Sequence, residues 1–143
     1  MSFLVDTNVI SEATRPRPDD GVVRWLKSAG GPSLFVSVLT LGEIRKGIEK
    51  LHSGARKDSL RDWLESEIPA WFEGRILPVD AAVADRWGRL VAAAGRTVPA
   101  IDSLIAATAL VHGLRLVTRN RPDYSFPGLE ILDPWGPGES CRA

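Results

Sequence analysis

The feature that most constrains this chain is a series of short apolar runs, each ending at a polar residue and most of them separated by segments of helical periodicity. Phe3-Leu4-Val5 stops at Asp6. Ser33 to Val38 leads to Thr40, Ile76-Leu77-Pro78-Val79 stops at Asp80, and Leu114 to Val117 stops at Thr118. A shorter run, Leu129-Glu130-Ile131-Leu132, comes last. Runs without polar alternation suit strands covered on both faces, and strands alternating with helices indicate a parallel sheet. The pattern predicts an α/β fold: three layers, α/β/α, around a central parallel sheet of four to five short strands. Strand order is not written in it.

The helices have their own signals. Thr7 to Ala13 reads as one or two turns, ended before Arg15-Pro16-Arg17-Pro18. Asp19-Asp20 opens a helix through Val22, Val23, Trp25 and Leu26 that closes at Gly30-Gly31. Thr40 to Leu51 and Ser59 to Phe72 are expected helices, with Pro69 kinking or breaking the second. Asp80 caps a helix that runs to Ala94, and Pro99 opens one over Ile101 to His112 that ends at Gly113. Residues 1–135 are expected to form one domain and 136–143 a loose tail.

Length and composition set limits without naming a function. The 143 residues, 44% apolar and 25% charged, fit one globular domain with a packed core. Lys+Arg and Asp+Glu both number 18, so bulk charge offers no attraction for phosphate, which must come from a local patch or a metal. The single cysteine, Cys141, cannot form an internal disulfide and suits a reducing compartment. No basic stretch followed by an apolar one comes after Met1, and no apolar run approaches the roughly 20 residues that span a bilayer. The expectation is a soluble, cytoplasmic protein without membrane contact.

Ligands of open parallel sheets bind beyond the carboxyl ends of the strands. Asp6 follows the first strand, Glu43 is expected in the first turn after the second, Asp102 in the first turn of the Pro99 helix, and Thr118-Arg119-Asn120 after the fourth. Three converging carboxylates repel unless a cation neutralises them, and an all-oxygen set suits Mg²⁺ or Mn²⁺. Such ions activate water for attack on a phosphodiester, so no catalytic His or Cys is required. Each position also has a structural reading. Asp6 can cap a helix, and Glu43 can be the reciprocal partner of Thr40 in a capping box. Asp102 can serve the helix dipole, and Asn120 a turn. The basic stretch Arg45, Lys46, Lys50, Arg56, Lys57 and Arg61 reads as a solvated helix face or a phosphate-attracting one. Trp25, Trp63, Trp71 and Trp87 read as core or dimer contacts. No dinucleotide, nucleotide-triphosphate or zinc motif is present.

Four blocks carry a resemblance. Leu4-Val5-Asp6-Thr7-Asn8-Val9-Ile10-Ser11-Glu12, Leu39-Thr40-Leu41-Gly42-Glu43-Ile44-Arg45-Lys46-Gly47, Asp102-Ser103-Leu104-Ile105-Ala106-Ala107-Thr108-Ala109 and Val117-Thr118-Arg119-Asn120 resemble, in order, the blocks of PIN-domain nucleases. The Trp-containing helical middle and the Asp133-Pro134-Trp135 ending resemble the FitB-like members of the VapC toxin group. The resemblance implies an Mg²⁺- or Mn²⁺-dependent endoribonuclease, the toxin of a type II toxin–antitoxin pair. It implies a homodimer whose site is blocked by a VapB-like antitoxin, with operator DNA bound only through that antitoxin. By position, Asp6, Glu43 and Asp102 would be the metal-binding acids and Thr118 a supporting hydroxyl.

One departure stands out: the fourth acidic position of FitB-like members falls on Asn120, with Asp123 three residues later as a substitute acid. A missing charge weakens a second ion more than a first, so one filled metal site is expected, with a second filled only alongside substrate phosphate. Two other functions compete. A degenerate, non-catalytic PIN-type binding module would need none of the acids. A phosphoaspartate phosphatase would need an Asp where Asn8 stands, and both it and a receiver-like domain would need a downstream lysine, yet no lysine follows Lys57.

Overall fold

The structure, a computed structural model, describes residues 1–135; the expected tail, 136–143, lies outside the described residues. Five strands form one sheet in the order β3-β2-β1-β4-β5, all neighbours parallel. They are β1 (Phe3–Val5), β2 (Leu34–Ser37), β3 (Ile76–Leu77), β4 (Arg115–Val117) and β5 (Ile131–Leu132). The helices are α1 (Thr7–Glu12), α2 (Asp20–Ala29), α3 (Val38–Glu49), α4 (Ala55–Asp62), α5 (Ile68–Trp71), α6 (Ala81–Ala94) and α7 (Ala100–His112).

Side chains alternate across a strand, and that alternation divides the core. Val5 and Val117 face a layer containing Val9, Ile10, Val22, Trp25, Ile44, Ile48, Leu64 and Phe72. Leu4 and Leu116 face the opposite layer, built from Val83, Leu90, Ile105, Ala106, Ala107 and Ala109 with Tyr124 and Phe126. β1 is central and paired on both sides, so Leu4 and Val5 are buried. The expected three-layer α/β/α arrangement is present.

Several boundaries differ from expectation, and the larger differences have local reasons. α3 begins at Val38 rather than Thr40, because the Ser37 hydroxyl accepts the Leu39 N–H at 3.0 Å and caps the helix where the strand ends. Thr40 therefore lies inside the helix, buried, with a hydroxyl oxygen that has no partner among the described residues. The capping box with Glu43 does not form, and Glu43 sits in the second turn of α3 rather than the first.

The expected Ser59–Phe72 helix starts earlier, at Ala55, and is divided by a π turn, Trp63–Glu67. Pro69 cannot donate to the carbonyl four residues back and would clash with it. The backbone widens instead, and the Ile68 N–H reaches the Trp63 carbonyl. β3 stops at Leu77 because Pro78 has no N–H to offer a sheet. The final strand is likewise shorter, covering Ile131–Leu132.

Candidate active site

The strand order runs outward from β1 in both directions, so the connection reverses between β1 and β4. A crevice forms at such a switch point, outside the carboxyl ends of the strands. Asp6 and Thr118 each immediately follow one of these two strands, and the Asp6 N–H extends the ladder to the Val117 carbonyl at 2.9 Å.

Asp6 is the centre of the site. It caps α1, its Oδ1 accepting the Thr7 N–H at 2.8 Å. Its Oδ2 accepts the Thr118 hydroxyl at 2.8 Å and lies 3.1 Å from the Tyr124 hydroxyl. The residue is only 4% exposed. Burial pushes its carboxyl above the ordinary carboxylate value, and the nearby Glu43 charge adds to this. The bonds from Thr118, Thr7 and Tyr124 oppose the shift without overcoming it.

Asp102 lies in the first turn of α7, half-buried, with its Oδ1 3.1 Å from the same Tyr124 hydroxyl. Burial raises its pKa, the charges of Asp6 and Asp123 raise it further, and the Tyr124 contact opposes them. Tyr124 thus stands between two acids that come from opposite ends of the chain. Its ring is 1% exposed, and desolvation together with the two carboxylates holds its hydroxyl strongly in the protonated form.

Glu43 is connected one step further out, its Oε1 accepting the Thr7 hydroxyl at 2.8 Å. The Thr118 hydroxyl is saturated: it donates to Asp6 and accepts from Asn8 Nδ2 at 3.2 Å and the Asn120 N–H at 3.1 Å. Asn8 Oδ1 in turn accepts the Arg119 N–H at 3.4 Å. Asn120 enters this network through its backbone, and its side chain is exposed. Asp123 is exposed too, but its charge is felt at Asp102. Of the two candidates for the fourth position, Asp123 is the one electrostatically joined to the acids.

The structure therefore brings together Asp6, Asp102 and Thr118, holds Glu43 one hydroxyl away, and leaves the Asn120 side chain outside. Sequence reasoning missed Tyr124, Thr7 and Asn8. The signal for Tyr124 was slight: it is the chain's one tyrosine, placed in the loop that follows β4.

No group of three or more His, Cys, Asp or Glu side chains is poised to hold a metal among the described residues, so the expected three-acid cup is not preassembled. The donor set still fits a hard divalent ion at the Asp6–Asp102 pair. Both acids are partly or wholly desolvated, acidic neighbours raise each of them further (Glu43 at Asp6, Asp6 and Asp123 at Asp102), and every ligating atom is oxygen. Mg²⁺ characteristically takes one or two carboxylates and completes its shell with water and phosphate oxygens. None of the hydrogen bonds to Asp6 or Asp102 among the described residues comes from a lysine, which is what a phosphoaspartate site would place there.

The family model described as PIN domain matches residues 3–122. The chain is 38% identical over 136 residues to the toxin FitB of Neisseria gonorrhoeae, covering 93% of this chain and 98% of that one. It is 34% identical over 138 residues to the VapC ribonuclease Y4jK of Sinorhizobium fredii, covering 94% and 99%. A solved structure of FitAB bound to an IR36 DNA fragment superposes with a TM-score of 0.86 at 36% identity, covering 94% of this chain and 96% of that one. The chain belongs to the PIN-domain family, in its FitB and VapC toxin group.

In this PIN domain two apolar grooves share Trp63, and Glu43 lines the first of them. One, about 350 Å³, is lined by Thr7, Ser11, Glu43, Ile44, Ile48 and Trp63. The other, about 280 Å³, runs past Ile10, Leu26, Trp63, Trp71 and Phe72. Trp25 is core, Trp87 is partly buried against the core and donates to Ser103 at 2.9 Å, and Trp71 is 49% exposed. Three of the six side chains of the basic stretch are occupied with local partners. Arg45 pairs with Glu65 and Glu49, Arg61 with Asp58, and Lys57 donates to the Glu49 and Leu51 carbonyls. No helix among the described residues is long and apolar enough to cross a membrane.

Proposed function

We propose that residues 1–135 form one nuclease domain, that the chain is an Mg²⁺- or Mn²⁺-dependent endoribonuclease, and that it is the toxin of a type II toxin–antitoxin pair acting on RNA in the cytoplasm. The observation that carries the reading is the Asp6–Asp102 pair at the β1–β4 crevice, one acid buried and the other half-buried, where both carboxyls sit above their ordinary pKa and accept hydrogen bonds only from neutral donors. A domain used purely for binding has no need of desolvated acids that oppose one another.

Asp6 and Asp102 would hold the ion, with Glu43 as the third acid of the site. When bound, the ion would lower the pKa of a water molecule and offset charge developing on the phosphodiester. The chain's own part is positional. Thr118, fixed by Asn8 and the Asn120 amide, holds Asp6 Oδ2 in place, and the α1 cap holds Oδ1. Thr7 holds Glu43 Oε1, and the other oxygen of that carboxylate would take a proton from the attacking water. Asp123 would supply the fourth negative charge that Asn120 lacks, at a more exposed position. A second ion there would need substrate phosphate to complete its shell.

The solved FitAB assembly on DNA and the adjoining grooves support a partner as well. A VapB-like antitoxin would lay an amphipathic segment into the grooves around Trp63 and block the acids, and operator DNA would be contacted through that antitoxin. The toxin itself would be a homodimer. Purified protein incubated with RNA and Mg²⁺ is expected to cleave it, and EDTA, Asp6→Ala and Asp102→Asn are each expected to stop cleavage. Equal cleavage by every form would reveal a contaminating nuclease and remove the reading.

A further inference from the structure

We propose that Tyr124 is a positioning residue that occupies the ground between Asp6 and Asp102 and must be displaced before those acids share a divalent ion. The inference rests on the metal-site reading above and concerns this chain's own tyrosine.

A carboxylate offers about four acceptor positions. At Asp6 three are taken, by the Thr7 N–H, the Thr118 hydroxyl and the Tyr124 hydroxyl. The first belongs to a helix cap. The second is locked by Asn8 Nδ2 and the Asn120 N–H. The Tyr124 hydroxyl differs from both: its hydrogen-bond contacts are the two acids themselves, each at 3.1 Å. A phenol has one proton, so it can donate to only one of these carboxylates at a time and serves the pair incompletely.

It is therefore the most weakly committed of the three donors, and it lies where a shared cation would have to lie. Its ring is held independently, packed with Phe126 and Leu116 in the core layer that carries α6 and α7. Removing the oxygen alone should leave the ring in place. In the metal-free protein the hydroxyl eases the repulsion between the acids, and in the metal-bound protein it is no longer needed. By linkage, a group that stabilises only the metal-free form weakens metal binding. Tyr124 thus sets a threshold, making the acids less receptive to an ion until substrate phosphate contributes further ligands.

Calorimetric titration of Mg²⁺ into the full chain, wild type and Tyr124→Phe, tests this directly. The variant is expected to bind at least fivefold more tightly, to melt at a lower temperature without metal, and to gain more from added metal. Binding that is equal or weaker in the variant overturns the proposal while leaving the nuclease reading intact; absence of binding by wild type and variant alike overturns both. A second measurement does not depend on the variant folding. Because the chain has one tyrosine, 3-fluorotyrosine labels only position 124, and its fluorine resonance is expected to move as Mg²⁺ saturates the site. A resonance that stays fixed at saturation also overturns the proposal.

Discussion

Two carboxylates, Asp6 and Glu12, flank opposite ends of the six-residue helix α1, and both are buried, at 4% and 8% exposure. Glu12 is closed off by its own neighbourhood. It accepts the Asp19 N–H at 2.9 Å and faces the Arg15 guanidinium at 3.6 Å, closing the proline-rich loop. Asp6 receives only neutral donors, and the charges nearest to it are other acids. Burial of an acid is thus not what distinguishes a working site from a structural one. The difference lies in whether the surroundings supply the compensating charge or leave it to be supplied by something that binds.

The comparison is broken most severely by exchanging the roles. Asp6→Ala is expected to reduce RNA cleavage by more than the roughly 10- to 100-fold typical of residues that only orient a metal's ligands. Glu12→Ala should leave turnover of the folded protein unchanged, and single-turnover assays on both variants decide the matter. Thr118→Val keeps the shape and removes the donor to Asp6 Oδ2, so a loss within that roughly 10- to 100-fold range is expected in the same assay.

Stability should rank the other way. Glu12→Ala leaves the Asp19 N–H without its acceptor and is expected to cost roughly 1 to 3 kcal/mol, measured by urea unfolding. The pH dependence sharpens the contrast. The folded-state pKa values of Asp6 and Asp102 lie above the ordinary 3.8, so between that value and the raised ones the folded protein holds more protons than the unfolded chain. Unfolding free energy therefore falls as pH rises through that window, and the loss is complete above it. Melting curves without metal are expected to show this decline above pH 4, and Asp6→Asn or added Mg²⁺ to flatten it. A metal-free protein whose melting temperature climbs across the same range would contradict the electrostatic account.

Those acids were legible in the sequence because each is tied to a boundary. Asp6 and Thr118 end apolar runs, and Asp102 follows a helix-opening proline, so the strand-and-helix pattern alone puts them at one edge of the sheet. Glu43 was harder, since Ser37 and Thr40 are both competent caps and only the end of β2 decides between them. The π turn was visible as trouble at Pro69, but its effect appears upstream, where no residue type announces it. Tyr124 gave no periodic signal at all, because loop residues are placed by the neighbours they reach rather than by their spacing. Strand order was absent for the same reason: it is a property of how faces meet.

That order has a consequence for when the molecule can act. The Thr118 to Asp6 bond joins residues 112 apart, and the Tyr124 to Asp6 contact joins residues 118 apart. A chain emerging from the ribosome carries Asp6 early but lacks both partners until nearly all of it has been translated, and contacts so distant along the backbone close late. A nuclease of the kind proposed above, assembled in this way, would have no Thr118-anchored Asp6 during most of that interval, leaving a cell time in which a neutralising protein can already be waiting.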